Sequence, residues 1–223
     1  MTSQNISYLY KTFSLLIFTS MLLTAQDSFK PVQFTTEDKG VIHGSLFKAN
    51  SKQATVFAHG MIFNKESWYG LAERFQSEGI TALSIDFRGY GESTGPKKDD
   101  KKFDVLGAIQ FLVTEGYDEV NVVGGSMGAM ATLDALAERA DSRIAKVVLL
   151  APPYGKPLSS RQIDKLVVVA KEERFYTQVT EIYEKISEPK ELKVYKGDAH
   201  AQHLFNSEHA DDLTERIVAF IKG

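Results

Sequence analysis

Short runs of consecutive apolar residues alternate along the chain with longer stretches whose apolar positions recur every three or four residues. The runs Gln53–Ala58, Ile80–Ile85, Glu119–Val123, Ala145–Leu150 and Lys165–Ala170 have the length and branching of strands buried on both faces, and Leu192–Tyr195 reads as a sixth. Glu66–Gly79 carries Trp68, Leu71, Ala72 and Phe75 on one helical face and closes at Gly79. Phe103–Glu115, Ala129–Glu138, Arg174–Ile186 and Asp211–Lys222 predict further helices. Ahead of these, Val32–Thr36 and Val41–Lys48 flank the turn Glu37-Asp38-Lys39-Gly40 and predict an antiparallel hairpin at a sheet edge. Strands alternating with helices predict an α/β three-layer sandwich, a mostly parallel central sheet with helices on both faces.

The first stretch stands apart from this pattern. Lys11 precedes the apolar run Phe13–Leu23, and the small residues Thr24 and Ala25 follow. A basic start, a short apolar run and a small-residue exit predict a secretory signal peptide over residues 1–25, cleaved near Ala25, with an uncleaved anchor as the alternative. The run falls short of the roughly 20 apolar residues that a membrane span needs. Residues 26–223 are then expected to form a single domain, exported to the periplasm or beyond, with no stable membrane association after cleavage.

Composition narrows the chemistry. The chain has no cysteine, which removes disulfides, thiolate metal sites and a cysteine nucleophile. A net charge of −3 supplies no basic field, so no nucleic-acid partner is expected. No metal and no cofactor are expected either. His200-Ala201-Gln202-His203 places two histidines close together, but no third ligand accompanies them. The expected partner is a small molecule, and the expected state a monomer.

One stretch carries a chemical signature. Gly124-Gly125-Ser126-Met127-Gly128 is a Gly-x-Ser-x-Gly pattern. It is short enough to arise by chance, but a β-branched run precedes it and a helix-forming run follows, which is the strand–turn–helix setting of a nucleophile elbow. A serine on so tight a turn needs neighbours without side chains, which Gly124 and Gly128 provide. Polar features also stand at the ends of three other strands: His59-Gly60-Met61, Lys171-Glu172-Glu173 and Gly197-Asp198-Ala199-His200. In open α/β sheets the crevice at the carboxyl ends of the strands gathers such groups.

With these pieces in this order, the chain resembles the α/β-hydrolase fold superfamily. The resemblance rests on His59-Gly60, Asp86-Phe87-Arg88-Gly89-Tyr90-Gly91-Glu92-Ser93, the Ser126 elbow and Gly197-Asp198-Ala199-His200, and spans most of the chain from about Phe34 onward. It implies a nucleophile, acid, histidine order met by Ser126, Glu173 and His200, with Glu172 as the alternative acid. An imidazole, which titrates near neutral pH, suits the task of taking the serine proton. The resemblance further implies an oxyanion hole from the backbone N–H groups of Met61 and Met127, with His59 and Gly60 supporting the loop and both methionine side chains on an apolar pocket floor. His203 and His209 compete with His200 for the base. Relatives often insert a lid between Ala151 and Asp164; the short stretch here implies an open site.

The function implied is serine hydrolysis of a carboxylic ester, thioester or amide through an acyl-enzyme. The alternatives are a non-catalytic binding module of the same fold, or an acyltransferase or haloperoxidase-like use of the same groups.

Overall fold

The valine- and leucine-rich runs leave no polar face, so a sheet built from them must be covered twice. The computed structural model describes residues 28–139 and 143–223, and the signal peptide expected over residues 1–25 lies outside them. The strands are β1 (Lys30–Thr35), β2 (Val41–Phe47), β3 (Gln53–Ala58), β4 (Thr81–Ile85), β5 (Glu119–Gly125), β6 (Ile144–Leu150), β7 (Asp164–Ala170) and β8 (Lys190–Tyr195). They form one eight-stranded sheet in the order β1-β2-β4-β3-β5-β6-β7-β8. β1 pairs antiparallel with β2, and β2 antiparallel with β4; every later pairing is parallel. The expected hairpin therefore lies at one edge, and β8 forms the other.

The helices are α1 (Tyr69–Ser77), α2 (Lys102–Thr114), α3 (Met127–Glu138), α4 (Tyr176–Lys185) and α5 (Ala210–Lys222). α1 and α5 share one side of the sheet, tied by Arg74–Glu215 and Lys222–Glu78 ion pairs. Phe57 of β3 packs against Trp68 and Phe75 on that side, with ring centroids 5.4 and 5.1 Å apart. α2 and α3 cover the other side. Among the described residues no helix is long and apolar enough to cross a membrane.

The differences from the sequence pattern lie at element ends. The helix expected from Glu66 begins as a 3-10 turn over Lys65–Trp68, and α1 proper starts at Tyr69. α4 starts at Tyr176, two residues after the expected Arg174. Gly79 and Gly116 end their helices with φ of +83° and +90°, a conformation that costs a residue with a Cβ.

Two ion clusters brace the loops beneath the crevice. Asp86, at the end of β4, accepts the Lys65 N–H at 2.8 Å and pairs with the Lys65 ammonium at 2.5 Å, which pins the turn after β3. Arg88 is fully buried and lies between Asp38 of the hairpin turn and Asp104 of α2, with contacts of 2.6 and 2.7 Å.

Candidate active site

Ser126 sits between β5 and α3 with φ +49° and ψ −108°, a strained backbone for a residue with a side chain. Its N–H donates to Leu150 O at 2.8 Å, and its carbonyl accepts the Met130 N–H at 2.9 Å, so strand and helix hold the bend from both ends. The flanking glycines answer to close approaches. A Cβ at Gly124 would stand 2.7 Å from the Ala129 nitrogen, and one at Gly128 would run into the Ala58 carbonyl. The elbow is thus pressed against the end of β3, next to His59-Gly60-Met61.

The chain ends of β7 and β8 meet it there. His200 Nε2 lies 2.8 Å from Ser126 Oγ, and His200 Nδ1 lies 3.0 Å from Glu173 Oε2. The same Glu173 oxygen accepts the Phe175 N–H at 3.0 Å. Glu173 is 5% exposed, and its second oxygen is buried without a hydrogen-bond partner. Glu172 is exposed, and its backbone N–H donates to Gly197 O at 3.0 Å. The Phe175 ring packs 5.4 Å from the His200 ring and flanks it. The competing histidines have other partners: His203 rests 5.1 Å from the Phe63 ring, and His209 Nε2 contacts Lys196 O at 3.0 Å. Among the described residues no group of three or more His, Cys, Asp or Glu side chains is arranged to hold a metal.

His59 is fully buried, and its surroundings fix its tautomer. Nε2 takes the Phe87 N–H at 3.2 Å, so the ring proton is assigned to Nδ1, which donates to Gly60 O at 2.7 Å. Burial holds the imidazole below its ordinary pKa and hence neutral. Gly60 O also accepts the Phe63 N–H at 3.1 Å. That carbonyl belongs to the same planar peptide as the Met61 N–H, which must point the opposite way. The Met127 N–H is the first of α3 and stands above the helix's own hydrogen-bond ladder.

Two residues in the assembly have no marked pattern in the sequence. Tyr90 donates its hydroxyl proton to Met61 O at 2.7 Å, and Gln202 reaches the Gly60 N–H at 2.6 Å. The only sequence signals were the aromatic within a glycine-rich loop and the position two residues beyond His200.

A cavity of about 480 Å³ opens over Ser126, walled by Met61, Phe63, Glu172, Arg174 and His203. A second, of about 510 Å³, lies beyond Met61 and has Met127, Met130 and Tyr90 on its walls and a rim of paired charges. Met61 is 64% exposed and forms the lip between the two, where the resemblance implies a pocket floor. Ile62, 75% exposed, extends that apolar lip. The connection between β6 and β7 carries no helix or strand, so nothing regular is inserted above the cleft.

Known proteins share this fold. The sequence profile described as alpha/beta hydrolase fold matches residues 54–206. A probable lysophospholipase of Arabidopsis thaliana, BODYGUARD 4, is 30% identical over 135 residues, covering 54% of this chain and 32% of that protein. The thiohydrolase apmlB of Arthrinium phaeospermum is 31% identical over 210 residues, covering 85% of this chain and 66% of its own. The chain thus spans a third to two thirds of these curated relatives. Among solved structures, an esterase of Pyrococcus furiosus superposes with a TM-score of 0.72 at 20% identity, covering 87% of this chain and 90% of that one. The alpha/beta hydrolase GrgF of Penicillium sp. sh18 gives 0.74 at 19%, covering 87% and 98%. Sheet order, elbow and matched profile together assign the chain to the alpha/beta hydrolase fold family.

Proposed function

We propose that the protein is a serine hydrolase that cleaves a carboxylic ester, with thioesters and amides as further candidates, through an acyl-enzyme. The observation that carries this is the unbroken line from Ser126 Oγ to His200 Nε2 at 2.8 Å and from His200 Nδ1 to Glu173 at 3.0 Å. A serine hydroxyl is a weak nucleophile until a base within hydrogen-bond reach takes its proton. His200 takes it as Ser126 Oγ bonds to the acyl carbon. Glu173 holds the imidazole with Nδ1 protonated and stabilises the imidazolium that forms. The carbonyl oxygen becomes an oxyanion between the Met61 and Met127 N–H groups, each such donor being worth about 3 kcal/mol of barrier. Collapse breaks the bond to the leaving group, which departs with the proton from His200. Water then repeats the sequence and frees the acid and Ser126.

The names of the relatives, a probable lysophospholipase and a thiohydrolase, support cleavage of an acyl bond. The apolar lip and the absence of a regular element over the cleft favour small or extended apolar acyl substrates. Export through the leader at residues 1–25, and action as a monomer, are part of the same proposal and rest on the sequence pattern. The test is labelling by a fluorophosphonate alongside turnover of p-nitrophenyl esters of increasing acyl length. The proposal requires wild-type labelling that Ser126→Ala abolishes. A folded wild-type protein that neither labels nor turns over would leave the binding-module reading.

A further inference from the structure

We propose that Gln202 is a positioning residue that locks the oxyanion loop to the turn carrying His200, so that base and oxyanion donors are aligned as one unit. This rests on the hydrolase reading above and extends it to a residue that touches neither substrate nor nucleophile.

The turn after β8 is built to send two neighbouring side chains to different targets. His200 reaches Ser126, while Gln202, two residues on and 3% exposed, reaches the loop after β3. Between them Ala201 is buried with φ +50°, a left-handed conformation that costs a residue with a Cβ roughly 1 kcal/mol. Such a turn persists where its surroundings hold it. Gln202 does so with both ends of its amide. Its Oε1 accepts the Gly60 N–H at 2.6 Å, and its Nε2 donates to Ser67 Oγ at 2.7 Å; Ser67 Oγ in turn donates to Asn64 O at 2.6 Å. The Gly60 N–H donor on one side and the Ser67 Oγ acceptor on the other assign the amide orientation.

The consequence for the oxyanion hole follows from peptide geometry. The peptide joining His59 to Gly60 is held through its N–H by Gln202. The next peptide is held through its carbonyl by His59 and the Phe63 N–H, and it bears the Met61 N–H. With both consecutive peptide planes fixed by these partners, the direction of the Met61 N–H is determined. Without the Gln202 acceptor, the buried Gly60 N–H has no partner and its plane can rotate. The fit also accounts for the middle glycine of the elbow: a Cβ at Gly125 would stand 3.0 Å from Gln202 Oε1 and 3.1 Å from its Cγ.

The experiment measures kcat per active site, with sites counted by fluorophosphonate labelling carried to completion. Gln202→Met keeps the length and removes the acceptor. It is expected to lower kcat per titrated site about ten- to a hundredfold, less than or comparable to loss of a direct oxyanion donor. KM for a p-nitrophenyl ester and the pH dependence of kcat/KM should stay as in wild type. Ser67→Ala removes only the outer partner of the amide and is expected to lower kcat about threefold by the same measure, as loss of one neutral hydrogen bond would. A purely structural role would reduce the number of titrated sites and leave kcat per site intact. Unchanged kcat per site in both variants overturns the proposal. If Gln202→Met does not fold, Ser67→Ala decides by the same criterion. An inert wild-type protein would instead bring down the hydrolase reading.

Discussion

Gly128 on α3 faces the carbonyl of Ala58 at the end of β3 so closely that any side chain atom at position 128 would overlap it. The obstacle is backbone, which cannot swing aside as a side chain can. Gly128→Ala must push the elbow away from the strand that also carries His59-Gly60-Met61. Overpacking of this kind costs about 1–3 kcal/mol or more. The expected result is a lower unfolding midpoint and a loss of at least about a hundredfold in kcat/KM, since misplacement by an ångström has that effect. Thermal unfolding and ester hydrolysis on the same preparation check it.

Glu173 and Glu172 are adjacent in sequence and opposite in circumstance: one is buried against His200, the other stands in solvent at the cavity wall. Glu173→Gln is expected to lower kcat by about 10²–10⁴, because the amide favours the wrong imidazole tautomer. Glu172→Gln should stay within a few-fold of wild type. Steady-state kinetics of the two variants, with His200→Ala as the reference for loss of the base, separates them.

Tyr90 fixes the far side of the loop after β3, the proposed oxyanion loop, through its bond to Met61 O. Tyr90→Phe keeps the ring that packs 4.7 Å from His59 and removes only the hydroxyl. A fall of a few-fold to tenfold in kcat is expected, which corresponds to a net hydrogen bond of about 1 kcal/mol. Unchanged kcat with an altered melting point would make the bond purely structural.

Arg88 serves two carboxylates from a position with no exposure of its own. Arg88→Met would leave Asp104 buried without its cation. Breaking a buried pair by removing one partner costs about 3–5 kcal/mol. Denaturant unfolding should show this as a lower midpoint, with hydrolysis at low temperature far less affected.

The same cluster sets an acid limit. The hydrogen bond from Arg88 holds the Asp38 carboxyl down to about 2, from an ordinary value of 3.8. A depressed carboxylate pKa gives stability that is complete above the unfolded value and lost as pH falls through the folded one. Stability should therefore decline between about pH 4 and pH 2. Asp38→Asn should flatten that part of the pH–stability curve, as followed by urea unfolding at stepped pH.

Much of the fold could be read from periodicity, because strands buried on both faces cannot hide their apolar runs. Gln53–Ala58 and Lys165–Ala170 in the pattern are β3 and the core of β7. Element ends were less legible: the 3-10 turn over Lys65–Trp68 is set by Asp86 reaching back from β4, a contact with no local signature. At the site, the Gly-x-Ser-x-Gly spacing located the bend, and the position after β8 singled out His200. The structure brings both beside Glu173. Likeness to the family in position beyond β7 favours Glu173 over Glu172; the burial and the Phe175 N–H that set the two apart in the structure are not encoded in spacing. Gln202 was illegible for a related reason. A glutamine in a short turn looks like any surface amide until folding places a backbone N–H and a hydroxyl at its two ends.

The two outermost strands bear on how the molecule avoids sticking to others. β1 opens with exposed Lys30 and Pro31, and β8 presents Lys190, Glu191 and Lys193 along its length. A foreign strand seeking to dock on either border would have to strip water from these ions or meet a proline that offers no amide proton. The cleft at the strand tips stays open to solvent, while the flanks remain inhospitable to β-sheet growth.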